Sequence, residues 1–183
     1  MKCALLLILL TLAGCADAHP RDSVLRLGFA SGGICSATAV SDDVILSAEH
    51  CWNDGDRLVS INGEAVNALK MEKDGHDHVL VRVTKKFKRW SRIGTNPYVG
   101  DRVRFWGCAL GLNFAYREAY VSLKDKDQIL YDGMSGPGDS GAGLFDGDGV
   151  VVGVVTGAKS HRTFVLMWTM PLQFTPRQLR EMR

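Results

Sequence analysis

Gly136-Pro137-Gly138-Asp139-Ser140-Gly141-Ala142-Gly143-Leu144-Phe145 is the stretch from which the rest of the chain is read. One serine stands among small residues, with an acid before it and an apolar pair after it. A lone hydroxyl is a poor nucleophile: it needs a base to take its proton and donors to hold the oxyanion it creates. Glycines on both sides allow the backbone to turn its N–H groups inward around the serine. A nucleophilic Ser140 therefore requires a base, and an acid to orient that base, elsewhere in the chain. Downstream, Leu144-Phe145, the turn Asp146-Gly147-Asp148-Gly149 and residues 150–156 read as a hairpin with an apolar second strand.

Outward from that hairpin the strand habit continues. Residues 101–106, 114–123 and 128–131 read as strands, divided by a glycine-punctuated turn at 107–113 and a charged tip at Lys124-Asp125-Lys126-Asp127. Residues 163–170 form the last strand, and 176–182 a short basic helix with Pro176 at its first position. In the first half, 23–30, 34–40, 44–47, 57–61, 64–71 and 79–83 read as strands, with Asn62-Gly63 as a hairpin dipeptide. Many short strands at near-regular spacing point to an all-β sandwich or barrel. Between the halves, 85–96 is basic, with Phe87 and Trp90 set among Lys85, Lys86, Lys88, Arg89 and Arg92. It reads as a solvated linker whose aromatics pack inward, with a cationic contact surface as the alternative.

The chain has 183 residues, enough for one domain or a compact pair of half-domains. A net charge of +2 makes no electrostatic case for nucleic acid. Lys2, an apolar run over 3–12 and the small residues that follow read as a secretory leader, too short to span a bilayer. Two cleavage sites compete. Leu12-Ala13-Gly14-Cys15 matches a lipobox, in which Cys15 is lipidated; Ala16-Asp17-Ala18 matches ordinary cleavage, leaving His19 first. The leader is thus 1–18 and the working domain 19–183, extracytoplasmic in either case, with a membrane tether if Cys15 is lipidated. Disulfides are permitted there. Five cysteines then sort themselves. Cys3 leaves with the leader, Cys15 is lipidated or removed, Cys35 and Cys51 are the expected pair, and Cys108 is an expected buried free thiol in apolar company. No zinc-type spacing of Cys and His appears.

His50 is the candidate base. It follows a strand and precedes Cys51, so a Cys35–Cys51 disulfide would fasten its turn to the sheet. Asp77 is the candidate acid, one residue ahead of an apolar strand. Asp74, in an Asp-Gly turn, is a competitor expected to be solvated. His76 and His78 read as surface residues sensitive to pH.

Leu46-Ser47-Ala48-Glu49-His50-Cys51, Asp77-His78-Val79-Leu80-Val81 and Gly138-Asp139-Ser140-Gly141 together resemble the signatures of the chymotrypsin-like (trypsin-fold) serine peptidases, in that family's order of His, Asp, Ser. The glycine-rich lead-in and the turn at 107–111 are closer to its compact bacterial and viral members. The resemblance implies two antiparallel six-stranded β-barrels, one at about 23–90 and the other at about 97–172, with the site between them. It implies a polypeptide substrate, a monomer, no metal and no cofactor. It assigns Ser140 as nucleophile, His50 as base and then acid, and Asp77 as the group that holds the imidazole. The N–H groups of Gly138 and Ser140 would form the oxyanion hole. These roles are the family's general ones, carried over to the matching positions of this chain.

The departures are specific. Glu49 replaces the usual alanine before the histidine, and Ala142-Gly143 replaces Gly-Pro after the serine loop. No Ile-Val-Gly-Gly activation sequence is present, so insertion of a freed N-terminus beside Asp139 is not expected. By position relative to the serine, the pocket base falls at Met134 and Ser135 and its wall at Thr156, Gly157 and Ala158. No acid stands at Met134, which implies a small or apolar residue before the scissile bond unless Asp132 reaches the pocket. The alternatives to an extracytoplasmic serine endopeptidase are a catalytically inactive binding module of this fold or a lipid-anchored envelope protein.

Overall fold

The computed structural model describes residues 19–161 and 164–182. The expected leader and both candidate cleavage sites, Cys15 included, lie outside them. The first sheet holds β1 (Val24–Phe29), β2 (Ile34–Ala39), β3 (Val44–Ala48), β4 (Leu58–Ile61), β5 (Glu64–Ala65), β6 (Ala68–Lys73) and β7 (His78–Val83). Its spatial order is β5-β4-β1-β2-β3-β7-β6. The second holds β8 (Arg102–Gly107), β9 (Ala115–Lys124), β10 (Ile129–Tyr131), β11 (Gly143–Phe145), β12 (Val151–Val154), β13 (Gly157–His161) and β14 (Phe164–Thr169). Its order is β12-β11-β8-β9-β10-β14-β13, and the strand pairs of both sheets are antiparallel.

The connectivity makes both sheets curl. β5 and β6 are opposite edges of the first sheet, yet only Val66-Asn67 separates them. A chain advances at most about 3.5 Å per residue, so the two edges lie within about 10 Å of one another along this link. The second sheet repeats the device: β12 and β13 are its edges and only Val155-Thr156 separates them. Counted as one bent strand each, β5–β6 and β12–β13 reduce each seven-stranded sheet to the expected six-stranded barrel. The strand expected over 64–71 is therefore broken, because closure hands its first part to β4 and its second to β7.

Apolar residues of the strands fill two cores. Leu27, Ile45, Leu46, Ile61 and Leu80 are buried in the first; Phe105, Ile129, Leu144 and Met167 are buried in the second. Each such side chain contributes about 1.5–3 kcal/mol on leaving water. All five residues of β3 are buried, including the polar Ser47. One face of β3 fills its barrel while Ser47 is turned toward the serine loop, where a Cβ on Gly141 would lie 2.1 Å from Ser47 Oγ.

The linker between barrels is held by both. Phe87 is buried in the first core, Ile93 bridges to Val151, and Lys86 pairs with Asp42 and Asp43. Trp90, expected to pack inward, is half exposed. After β14 the chain returns to the first barrel and ends in α1 (Pro176–Glu181). Thr175 and Gln178 form a capping box at its start. The Gln178 side-chain amide also donates to Lys73 O at 2.8 Å, fixing the helix to β6.

Candidate active site

His50 lies in the 3₁₀ turn Glu49–Gly55 that follows β3. Its neighbour Cys51 is bonded to Cys35 of β2, so the turn is fastened to the sheet on both sides of the imidazole. Asp77 approaches from the loop between β6 and β7, with φ +61, a conformation unusual for a residue with a side chain. That conformation lets Asp77 hold the His50 turn at three points. The Asp77 carbonyl accepts the Glu49 N–H at 2.9 Å. Its Oδ1 accepts the His50 N–H at 2.8 Å, and its Oδ2 meets His50 Nδ1 at 2.7 Å. An ionised carboxylate only accepts, so Nδ1 carries the proton and Nε2 is left with its lone pair.

Ser140 reaches the same place from the second barrel. Its carbonyl accepts the Ser36 N–H at 2.8 Å and lies 3.9 Å from Cys51 Sγ, beside the residue that follows His50. The turn around it depends on glycine at two points. Gly138 has φ +98, and a Cβ there would lie 2.3 Å from Cys108 O; Gly141 has φ +88, and a Cβ there would lie 2.1 Å from Ser36 O. Among the described residues, the N–H groups of Gly138 and Ser140 donate to no acceptor. Unpaired donors on either side of a hydroxyl suit a developing negative charge.

Residues 35–154, which include His50, Asp77 and Ser140, match the family described as "Trypsin-like peptidase domain". The chain belongs to the trypsin-like peptidase family. It is thereby a serine-type endopeptidase. No sequence among curated proteins matches it. Among solved structures, the active form of the Rv3671c protease from M. tuberculosis superposes with a TM-score of 0.72 at 17% identity, over 89% of this chain and 82% of that one. A Glu endopeptidase in complex with MPD gives 0.68 at 14% identity, over 89% and 91%. At these identities the likeness is one of fold.

The peptidase's serine loop rests on an ion pair whose carboxylate is buried. Asp139 is fully buried; its Oδ2 accepts the Gly136 N–H at 2.9 Å and the Arg117 Nη1–H at 2.9 Å. The cation beside Asp139 is thus a guanidinium from β9. This agrees with the missing activation sequence. Nothing in the sequence singled out Arg117, which sits in a strand of alternating exposed residues.

Beside Ser140 lies a cavity of about 200 Å³, lined by Ser135, Gly136, Pro137, Val155, Gly157 and Ala158. Ser135 Oγ–H donates to Gly157 O at 3.1 Å and so links the two walls. Met134 does not line this cavity: its side chain is 71% exposed and borders a neighbouring cleft that Leu110, Arg117 and Asp132 share. Thr156 is buried in the bend behind the wall, its N–H donating to Trp168 O at 3.3 Å. Asp132 is turned away, its Oδ1 accepting the Tyr120 N–H. Cys108 is a buried free thiol whose acidity is weakened chiefly by burial.

Asp74 and His78 depart from expectation. Both side chains are wholly buried, and they pair at 2.7 Å between Asp74 Oδ2 and His78 Nδ1. Asp74 also accepts the N–H groups of His76 at 2.8 Å, His78 at 3.3 Å and Gln173 at 3.0 Å. Burial alone would raise its pKa; the His78 hydrogen bond and charge, with the backbone donors, outweigh burial and hold the carboxyl below its ordinary value. The returning C-terminal segment covers the pair, with Phe174 against the His78 ring. That segment is why Asp74 is not solvated and His78 is not on the surface.

Proposed function

We propose that this peptidase hydrolyses peptide bonds outside the cytoplasm through an acyl-enzyme formed on Ser140. Ser140 Oγ attacks the scissile carbonyl carbon as His50 Nε2 takes its proton. His50 then returns that proton to the leaving amine, and water repeats the sequence to release the acid. Asp77 holds the imidazole with its Nδ1–H engaged, and the Gly138 and Ser140 N–H groups receive the oxyanion. The observation that carries this reading is the grip of Asp77 on both the backbone and ring of His50, next to a serine anchored beside Cys51. Among the described residues β13 pairs only with β14, which leaves its other edge to take an extended substrate as an added strand past Gly157 and Ala158.

The cavity beside Ser140 has no charged side chain in its lining. A charged residue placed there would be desolvated without a partner. This favours a small or apolar residue before the scissile bond. The Glu endopeptidase shares the fold, but this lining offers no cation for a substrate carboxylate. The disulfide supports an oxidising compartment, and the leader pattern supports export with a lipid on Cys15 or a new terminus at His19.

A fluorophosphonate reagent tests the chemistry. The folded protein is expected to be labelled at Ser140, and Ser140→Ala is expected to be neither labelled nor active. Absence of labelling, or equal labelling of the variant, refutes the reading. Peptide amides with Ala, Val or Leu before the scissile bond should exceed those with Glu or Arg by about 100-fold in kcat/KM; the reverse order refutes the pocket assignment. Mass spectrometry of the exported protein should find lipidated Cys15 or a terminus at His19. An uncleaved leader would refute export.

A further inference from the structure

Ser36 of β2 is a wholly buried polar residue of the first barrel, and three of its hydrogen bonds join it to the second. Its Oγ–H donates to Gly138 O at 2.8 Å, and the same oxygen accepts the Cys108 N–H at 3.0 Å. Its backbone N–H donates to Ser140 O at 2.8 Å. Its carbonyl accepts the Ser47 Oγ–H at 2.7 Å and meets the Cα side of Gly141 too closely for any side chain there. One residue of the first barrel therefore touches the second barrel's serine loop before, at and after Ser140.

The carbonyls of that loop can be accounted for one by one. Gly136 O accepts from Asp139 N–H, Pro137 O from Leu110 N–H, and Asp139 O from Ala142 N–H. The remaining two, Gly138 O and Ser140 O, are both held by Ser36. Peptide groups turn as rigid planes, so a fixed carbonyl also fixes the N–H on the opposite side of the same plane. The planes with Pro137 O and Asp139 O carry the two N–H groups of the oxyanion hole. The plane between them is held at both ends: its Gly138 O by the Ser36 hydroxyl from the other barrel, and its Asp139 N–H by Gly136 O of the loop itself at 3.0 Å. Without the Ser36 hydroxyl the plane is held only from within its own loop, so Gly138, already at a φ accessible chiefly to glycine, gains freedom and the two N–H groups lose their common aim.

We infer that Ser36 is a positioning residue for catalysis: its hydroxyl sets the geometry of the oxyanion hole across the barrel interface. The inference rests on the proposed roles of Gly138 and Ser140. The Cys35–Cys51 bond next to it holds the same strand to the His50 turn. Base and oxyanion hole are thus referenced to two adjacent residues of β2, which keeps them in register although they come from different barrels.

The test is Ser36→Ala compared with Thr38→Val. Thr38 is also buried in β2, and its Oγ1 accepts the Gly143 N–H across the same interface at 3.1 Å, beyond the serine loop. Ser36→Ala should lower kcat for peptide amides by about 10- to 100-fold, below the loss of about 10²–10³-fold for deleting an oxyanion donor outright. KM should stay within about twofold, since the pocket walls are untouched. Affinity for a peptide boronic acid, whose tetrahedral adduct occupies the hole, should fall in parallel with kcat. Thr38→Val should show a comparable drop in denaturation midpoint with kcat unchanged. Ser36→Gly, which also lacks the hydroxyl, replaces Ser36→Ala if that variant does not fold. An active wild type with unimpaired Ser36→Ala, or equal kcat losses in the Ser36 and Thr38 variants, overturns the inference while leaving the proposed function standing. A wild type that neither reacts with fluorophosphonate nor cleaves peptides overturns both.

Discussion

Replacing Asp74 by asparagine removes one charge and changes one acceptor into a donor at a site sealed from water. The carboxylate accepts four hydrogen bonds, from His76 N–H, His78 N–H, His78 Nδ1–H and Gln173 N–H. Asparagine keeps one oxygen, sufficient for the two N–H groups of its own loop. The amide nitrogen then faces the donors of His78 and Gln173. His78 can change tautomer to accept from it, but its Nε2–H becomes a buried donor, and Nε2 has no partner among the described residues. Losing a charge-assisted bond costs about 1.5–3 kcal/mol, and each unpaired buried donor about 1–3 kcal/mol more. The total is about 3–5 kcal/mol, or a fall in Tm of about 10 °C for a chain of this length. The same substitution loosens the loop that holds Asp77 at positive φ, so kcat should fall about tenfold even in fully folded protein. The pH dependence has a definite sign. The folded carboxyl has the lower pKa, so the unfolded chain binds more protons at acid pH. The Asp74 contribution is fully present above about pH 4 and is lost as pH falls through the depressed folded value. Thermal melts between neutral pH and about pH 3 should therefore converge for wild type and variant on acidification. Equal Tm at neutral pH, or a gap that does not narrow in acid, would falsify this account of the buried pair.

The same geometry sets further outcomes. Asp77→Asn should lower kcat by about 10⁴-fold, because the amide favours the wrong tautomer of His50, with near-native thermal stability; activity near wild type would move the orienting role elsewhere. Removing both Cys35 and Cys51 opens a loop with a sequence separation of 16, worth about 3 kcal/mol of chain entropy, so Tm should drop by about 6–12 °C. The peptidase should also lose kcat as the His50 turn frees itself, and unchanged kcat in folded variant would assign the bond to stability alone. Arg117→Met leaves Asp139 buried and uncompensated, a loss of about 3–5 kcal/mol to be read from denaturant unfolding. Extending the chain ahead of its mature terminus, Cys15 or His19, should leave activity intact, since Arg117 already supplies a cation to Asp139; inactivity of the extended form, restored by trimming, would contradict that.

What the sequence makes legible is what is local. The His50, Asp77 and Ser140 segments each carry their chemistry within a few neighbouring residues, and most strands announce themselves as apolar runs between turns. β13 does not, because Gly157-Ala158-Lys159-Ser160-His161 is an edge strand held by backbone pairing to β14. The break at Val66-Asn67 has no local signal either, since it follows from closure of the sheet. Asp74-Gly75 has the composition of a solvated turn, and its turn chemistry is real: the carboxylate accepts the N–H groups of its own loop. What reverses its solvation is Gln173 and Phe174, arriving from the far end of the chain.

Ser36 makes the same point at the centre of the site. In sequence it is a polar residue in a strand, next to a cysteine whose partner draws the attention. Its hydroxyl bonds to Gly138, 102 residues away, and to Cys108, 72 residues away. Motif residues supply the groups that react, and they can be recognised from residue type and order. The residues that aim those groups are chosen by the docking of two barrels. A buried hydroxyl at that interface is costly unless each bond is made. The satisfied hydrogen bonds of Ser36 therefore report a constraint that residue type alone does not reveal: the two halves meet in one register at the serine loop, where the proposed oxyanion hole would form.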